Sequence, residues 1–401
     1  MGLIGGRSVF AGAAVVTAWG WTGAALSQQP SAAGAPAGIR VGPLVAHPGA
    51  DLVIGHDDNL FLSDANKRSS RFRVFSPYLR IEGVPTPHKF DVLLRYDYGR
   101  YSRSPDDNYD DYALLGNADL VFTGRAGLKL RAEHRRGHDP RGSTDRPFGA
   151  EPDIYKHTGA DGVFGYGAAG AQGRIELDAG YFERRYQNNR TFTEASDYET
   201  RSGGGTFLWR VQPKTQLLVQ AQRRDFDYRL AASTLDSTED RLYFGARWEA
   251  TAKTDGTLKI GRLKKDFRDP ARTDISTGSW DVGVRWSPLT YSVFDLVTSK
   301  QTTESTGFGD TIITKNYSLT WSHDWSSRVR TQLLGSLRND DFRGAGVSRE
   351  DDTRTVGARI TYQFRRWLRF GAEYLRADRD SNAAPFDYER NLILLTVGAT
   401  L

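Results

Sequence analysis

Lys89-Phe90-Asp91-Val92-Leu93-Leu94-Arg95-Tyr96-Asp97-Tyr98 is the stretch that decides the fold. Phe90, Val92, Leu94, Tyr96 and Tyr98 fall on one face of an extended chain. Lys89, Asp91, Arg95 and Asp97 fall on the other, because successive side chains of a strand point to opposite sides. The same alternation recurs downstream. Leu128, Leu130 and Ala132 oppose Lys129, Arg131 and Glu133; Ile175, Leu177 and Ala179 oppose Arg174, Glu176 and Asp178. Leu242, Phe244 and Trp248 oppose Arg247 and Glu249; Val282, Val284 and Trp286 oppose Asp281 and Arg285; Val356, Ile360 and Tyr362 oppose Arg359 and Gln363.

The connections between these stretches alternate in length. Short, turn-forming ones include Thr123-Gly124-Arg125, Gln212-Pro213-Lys214 and Ser287-Pro288-Leu289-Thr290. Long polar ones fall near 57–69, 102–108, 137–153, 187–197, 228–239, 268–275, 303–311, 340–351 and 377–388. Short turns on one side and long loops on the other, repeated to the end of the chain, are the rhythm of a transmembrane β-barrel. The pattern predicts an all-β fold, a transmembrane antiparallel up-and-down barrel of about 18 strands (roughly 16–18), with both termini periplasmic.

A soluble sandwich also alternates. Two signals favour the membrane: the apolar face is clean along nearly every strand, and aromatics cluster at strand ends. Trp209, Trp248, Trp286, Trp325 and Trp367 lie near short turns, and Tyr98, Tyr101, Tyr109, Tyr186, Tyr228, Phe267, Phe342 and Tyr388 near long loops. The expectation is two interfacial girdles. The localisation expected is the outer membrane of a Gram-negative bacterium, with outer-membrane lipid as a partner.

The organisation follows from the N-terminus. Arg7, the apolar run Val9 to Trp21 and the small residues before Gln28 read as a signal peptide over 1–27. Residues 28–43 read as a periplasmic linker and 44–401 as the barrel.

Of the 401 residues, 26% are charged, and Lys+Arg 54 stand against Asp+Glu 49 for a net charge of +5. No basic run lacks interspersed acids, so no nucleic-acid partner is expected. The absence of cysteine excludes disulfides, thiolate zinc sites and a thiol nucleophile. His134 and His138 are four apart but sit in a strand, where that spacing does not converge on a metal. The acidic loops around Asp57-Asp58-Asn59 and Asp106-Asp107-Asn108 match no EF-hand spacing and read as solvated. Gly203-Gly204-Gly205 lies in a strand, opens no helix and reads as a place where the wall bends. No G-x-S-x-G or comparable motif is present, so no catalytic residues, metal or cofactors are expected and the chain reads as no enzyme.

What remains is a lumen. The predicted lining mixes Arg95, Arg131, Arg247, Arg285, Arg330, Arg359 and Arg369 with Asp91, Asp97, Glu133, Glu176, Asp178, Glu249, Asp281 and Glu373. A barrel of about 16–18 strands is wide enough for an aqueous channel.

Gly55-His56-Asp57-Asp58-Asn59-Leu60-Phe61-Leu62-Ser63, followed by Ser69-Ser70 and Phe75-Ser76-Pro77-Tyr78-Leu79, resembles the opening of the β-barrel porins found in exopolysaccharide gene clusters. The resemblance is a short motif here and architecture only over 40–401. It implies an outer-membrane barrel tied to export of a secreted polysaccharide, with that polymer and a periplasmic export protein as partners. It carries no catalytic residues. Asp57, Asp58 and Asn59 are expected to form a turn. Two other functions fit the residues: a general or sugar-selective diffusion porin, and a structural or adhesive surface barrel. A long loop folded inward would favour the porin, and 137–153 is long enough to do so.

Overall fold

The computed structural model describes residues 38–83, 87–146, 149–168, 170–251 and 253–401. The expected signal peptide and most of the expected linker therefore lie outside the described residues. The strands are β1 (Ile39–Val41), β2 (Leu44–Asp57), β3 (Ser70–Gly83), β4 (Lys89–Tyr101), β5 (Tyr109–Val121), β6 (Ala126–Asp139), β7 (Asp153–Tyr166), β8 (Gly173–Tyr186), β9 (Tyr198–Gln212) and β10 (Thr215–Tyr228). The second half supplies β11 (Ser237–Thr251), β12 (Thr254–Phe267), β13 (Ile275–Leu289), β14 (Ser292–Glu304), β15 (Thr311–Asp324), β16 (Val329–Arg343), β17 (Arg349–Arg365), β18 (Leu368–Ser381) and β19 (Tyr388–Thr400). Among the described residues helix is confined to single turns within loops, such as α1 (Arg190–Thr193).

From β2 onward each strand pairs antiparallel with the next, and β19 pairs with β2, from Leu392↔Asp57 to Thr400↔Gly49. Eighteen strands thus close on themselves, as the rhythm of turns predicts, and closure leaves no edge strand for lipid to meet. The tail of the expected linker is not extended: β1 folds back on β2 with Ile39 opposite Ala46. Gly42, in left-handed backbone at φ +58°, makes that turn.

The alternation reads out as two environments. Leu242, Phe244 and Ile260 point outward, Phe244 55% and Ile260 58% exposed. A continuous apolar belt of this kind is stable only against lipid. Phe244→Arg is accordingly expected to destabilise the barrel by about 2–4 kcal/mol in vesicles, read from urea-titrated refolding, whereas an exposed site of a soluble sandwich would tolerate it.

At the short-turn end Trp209, Trp286, Trp325 and Trp367 are exposed outward, as a girdle requires. At the long-loop end six of the eight residues expected in a second girdle, Tyr101, Tyr109, Tyr186, Tyr228, Phe267 and Phe342, are buried, while Tyr388 is half-buried and Tyr98 is exposed. The reason is parity. In β4, Tyr98 shares the outward face with Leu94, while Tyr101 lies beyond Gly99 on the inward side. Proximity to a loop does not fix the face; register does.

These inward rings build a second core inside the barrel. Phe72 and Val74 of β3, Val53 of β2, Leu392 and Leu394 of β19, and Tyr101 and Tyr109 pack together, with Leu60 of the loop 58–69 folded in to cap them. The Tyr109 ring lies so close over Gly99 that a Cβ there would come within 2.1 Å of it, so only glycine fits. Gly203-Gly204-Gly205, read as a bend, is paired residue for residue with Arg223-Gln222-Ala221. The register shift in that pair of strands lies at Thr215/Gln216 instead.

Candidate functional site

The charges that the alternation assigns to the inner face form ion pairs with one another and with neighbouring strands. Arg95 reaches Asp51 at 3.2 Å and Asp97 at 2.8 Å, and Arg369 reaches Asp51 at 2.9 Å, so one carboxylate ties β4 to β18 across the closing seam. Asp91 pairs with Arg80 at 2.6 Å, and Arg131 with Glu133 at 3.2 Å. Glu176 holds Arg247 at 3.3 Å, Arg285 holds Asp295 at 2.7 Å, and Asp281 holds Lys259 at 2.8 Å. Arg330 pairs with Asp324 and Arg359 with Glu373, each at 2.8 Å for one of its contacts. Asp178 accepts from Gln222 at 3.2 Å. Glu249 is exposed near the short-turn end, its amide bonded to the Lys214 carbonyl at 2.8 Å. Most of these charges are therefore engaged with neighbours, in pairs within a strand such as Arg131–Glu133 and across strands such as Arg359–Glu373, which present both signs at once.

Asp57-Asp58-Asn59 does more than turn the chain. Asp57 is fully buried and accepts two bonds from Arg390 Nε of β19, at 3.1 and 3.0 Å. Asp58 accepts from the Asn391 amide at 2.6 Å and its side chain at 2.7 Å. Asn59 Nδ2 donates to the Glu389 carbonyl at 2.8 Å. Three consecutive residues at the end of the first barrel strand latch it to the last.

The loop end is narrowed from two sides. On one side the wall itself turns in. β13 and β14 are paired only from Trp280↔Lys300 toward the short turns, so Gln301–Glu304 leave β13 and keep only β15 as partner. The outward face of this hairpin top then meets the inner wall. Ile313 packs against Phe267 and Ile275, Glu304 pairs with Lys265, a side chain with no exposure, and accepts from Tyr228, and Thr302 donates to Glu239. Isoleucine on both parities, Ile312 and Ile313, is buried because both faces of the strand are now covered.

From the other side residues 140–146, which follow β6, reach across the mouth. Asp145 accepts from Arg349 Nη1 of β17 at 2.8 Å and from Thr306 Oγ1 at 3.1 Å. Its own amide donates to Thr306 Oγ1 at 3.2 Å. Arg146 Nη1 donates to the Thr306 carbonyl at 3.2 Å, and its Nη2 to Asp153 at 2.8 Å. β7 and β17 are ten strands apart one way round the ring and eight the other, so these contacts join nearly opposite walls. An 18-strand ring is roughly 35 Å across for strands about 4.8 Å apart and tilted about 40°. Six residues from β6 to Asp145 reach roughly 20 Å. The crossing closes only because the hairpin at 305–310 comes in to meet it. Gly307 sits at the junction, at φ +158°, where a Cβ would stand 3.0 Å from Arg146.

Both arginines at this junction are deeply set. Arg349 is 1% exposed, lies over Phe342 at 4.2 Å and Phe386 at 3.5 Å, and bonds Asp351 at 2.9 Å as well as Asp145. Arg146 lies over Tyr186 at 4.4 Å. Burial alone would lower the Arg146 pKa, but Tyr186 and Asp153 outweigh it and leave it raised. Arg141 in the same loop is raised by its hydrogen bond to Asp107, so both anchors stay charged. Arg141 also stacks over Phe61 at 4.4 Å, joining this loop to the one over the apolar core. Among the described residues no group of three His, Asp or Glu side chains is placed to hold a metal. His134 Nδ1 lies 2.8 Å from Thr158 and His138 Nδ1 2.8 Å from Asp111.

Sequence reading found the length of the crossing loop but not its anchors. Asp145, Thr306 and Arg349 are ordinary loop and strand-end residues, and nothing local marks their meeting across up to 204 positions.

Comparison with known proteins bears on this geometry. A family model described as "Putative beta-barrel porin 2" matches residues 32–401. The crystal structure of Pseudomonas aeruginosa OccK2 (OpdF) in complex with glucuronate is similar at TM-score 0.51 and 12% identity, over 89% of this chain and 98% of that one. Pseudomonas aeruginosa OpdK with vanillate is similar at TM-score 0.50 and 12% identity, over 89% and 99%. At that identity the likeness is one of fold. No curated protein matches the chain.

Proposed function

Since the chain belongs to the family described as "Putative beta-barrel porin 2", and is thereby an outer-membrane β-barrel porin, we propose that it is a selective diffusion porin for small polar solutes of about one sugar ring. We place its long loops outside the cell and its short turns, with both ends of the barrel, in the periplasm. The observation that carries the reading is the crossing loop, pinned to the far wall by Asp145 at Arg349 and Thr306. A pinned obstruction sets a size limit, and the mixed-sign ladder beneath it hydrates a polar solute without holding it hard. The two solved barrels of similar fold carry glucuronate and vanillate, single-ring carboxylates, and solutes of that size are the ones this reading expects to enter.

Export of a secreted polysaccharide needs a passage open to a chain along its whole length. The pinned loop and the inturned β14–β15 hairpin oppose that, and the exporter reading would require both to be displaced. Liposome swelling separates the two. The porin reading expects fast entry of hexoses and uronates and exclusion of oligosaccharides. Entry of long oligosaccharides as readily as of single sugars would overturn it in favour of a polymer conduit.

A further inference from the structure

The glycine run that the lumen does not use opens onto the outside of the barrel. Directly above the apolar belt, a groove of about 520 Å³ runs across the outer faces of β9 to β12. Gly203 forms one wall: a Cβ there would have no atom nearer than 3.9 Å. Ala221 and Leu242, in register with each other, make an apolar floor continuous with Phe244 and Ile260 below. Three cations stand over that floor. Arg223 is spent on Asp240, in two bonds of 2.7 Å. Lys264 shares its charge with Asp266 at 2.8 Å. Arg262 is exposed and, among the described residues, bonds the Ser276 hydroxyl at 2.9 Å and no carboxylate. Arg241 also borders the groove but pairs with Glu239, so the lining carries four positive charges, three of them on the outer face, against the one carboxylate of Asp240.

We propose that this groove binds a phosphorylated, acylated glycolipid of the outer leaflet. An acyl chain lies along the furrow left by Gly203 over Ala221 and Leu242, and a phosphate is taken by Arg262 and Lys264. The placement is what the chemistry of such a lipid demands: apolar surface below, cations at headgroup height, at the height where the apolar belt gives way to charge. Arg262 is the selective element, since its guanidinium has donors to spare and a phosphate supplies charged acceptors. The strands are 14 or 15 residues long here, more than the nine to eleven that span the hydrocarbon, which is why their outer faces reach headgroup height at all. The assignment rests on the proposed orientation with the long loops outside.

The test is native mass spectrometry of the whole barrel incubated with diphosphorylated lipid A, with its dephosphorylated form and with phosphatidylglycerol. The expected result is a lipid A adduct weakened about thirty-fold by Arg262→Ala with Lys264→Ala, at roughly tenfold or less per cation lost. Gly203→Leu fills the furrow with charge intact and should weaken the same adduct. Solute entry into liposomes should be unchanged in each variant, so loss of the porin reading and loss of this one are told apart. No adduct with the parent barrel, equal binding of dephosphorylated lipid, or adducts indifferent to both substitutions would overturn the site. Preference for phosphatidylglycerol would overturn it too, and would place this rim in the other leaflet.

Discussion

Asp57→Ala is expected to destabilise the folded barrel by about 3–5 kcal/mol, the cost of leaving a buried arginine without its partner. Asp57 is fully buried, and Arg390, 12% exposed, gives it both its Nε contacts. The carboxylate also accepts the Asn59 amide at 3.0 Å, which the substitution would orphan. The loss falls at the seam, where β19 and β2 share nine paired positions against fourteen between β2 and β3. Refolding into vesicles, followed by the shift of the folded band on unheated gels along a urea series, reads the effect directly. Asp57→Asn should cost less than alanine, since it keeps an acceptor for both donors. Equal stability of the parent and Asp57→Ala barrels would show that the seam is held by its strand pairing alone.

The second large effect is functional. Asp145→Ala removes the acceptor that Arg349 and Thr306 share, while Arg349 keeps Asp351. The barrel should fold with little loss, because the substitution lies in a loop and leaves no charge unpaired. The crossing loop loses its far anchor and its cover over the mouth. Single-channel conductance is expected to rise roughly two-fold or more, with added flicker as the loop moves in and out of the current path. Arg349→Ala should give the same conductance change but at a real stability cost, because it leaves the buried Asp351 carboxylate without its charged partner and with the Ser381 hydroxyl at 2.6 Å. A conductance identical to that of the parent would mean that current does not pass the loop.

How far the sequence carried the fold is a matter of parity. Every second residue of Lys89–Tyr98 is committed to lipid or to the interior, and a one-residue slip would reverse all of them, so the alternation is both easy to read and hard to misplace. Loop lengths then give the strand number and the closure. The inward set, from Arg95 to Arg369, follows from the same parity, and most of its members meet an oppositely charged neighbour. Parity also exposes what failed. Tyr101, Tyr186 and Phe342 look like a girdle when judged by nearness to loops, and are interior residues when judged by register.

The obstruction was legible only as a length. Twelve or more residues between β6 and β7 permit a crossing, but the contacts that fix it join positions 145, 306 and 349, and single-sequence patterns carry no information about such separations. The inturned hairpin left a faint trace in Thr311-Ile312-Ile313-Thr314. There alternation stops and both faces turn apolar or small, as a strand buried on two sides requires. Asp57-Asp58-Asn59 stood out because acids and amides at a strand end favour turns. That the turn would latch to Arg390 and Asn391 depends on closure, which brings the first strand to the last.

The crossing loop is the element on which the porin reading depends, and the chain's lack of cysteine makes it testable with one thiol pair. Asp145→Cys combined with Thr306→Cys places the two sulfurs on side chains that now meet, the Thr306 hydroxyl donating to the Asp145 carboxylate at 3.1 Å. The account predicts a cross-link in the folded barrel under mild oxidation, with a low, steady conductance that rises when the bond is reduced. A folded barrel in which the pair stays open, or in which reduction leaves the conductance unchanged, would contradict it.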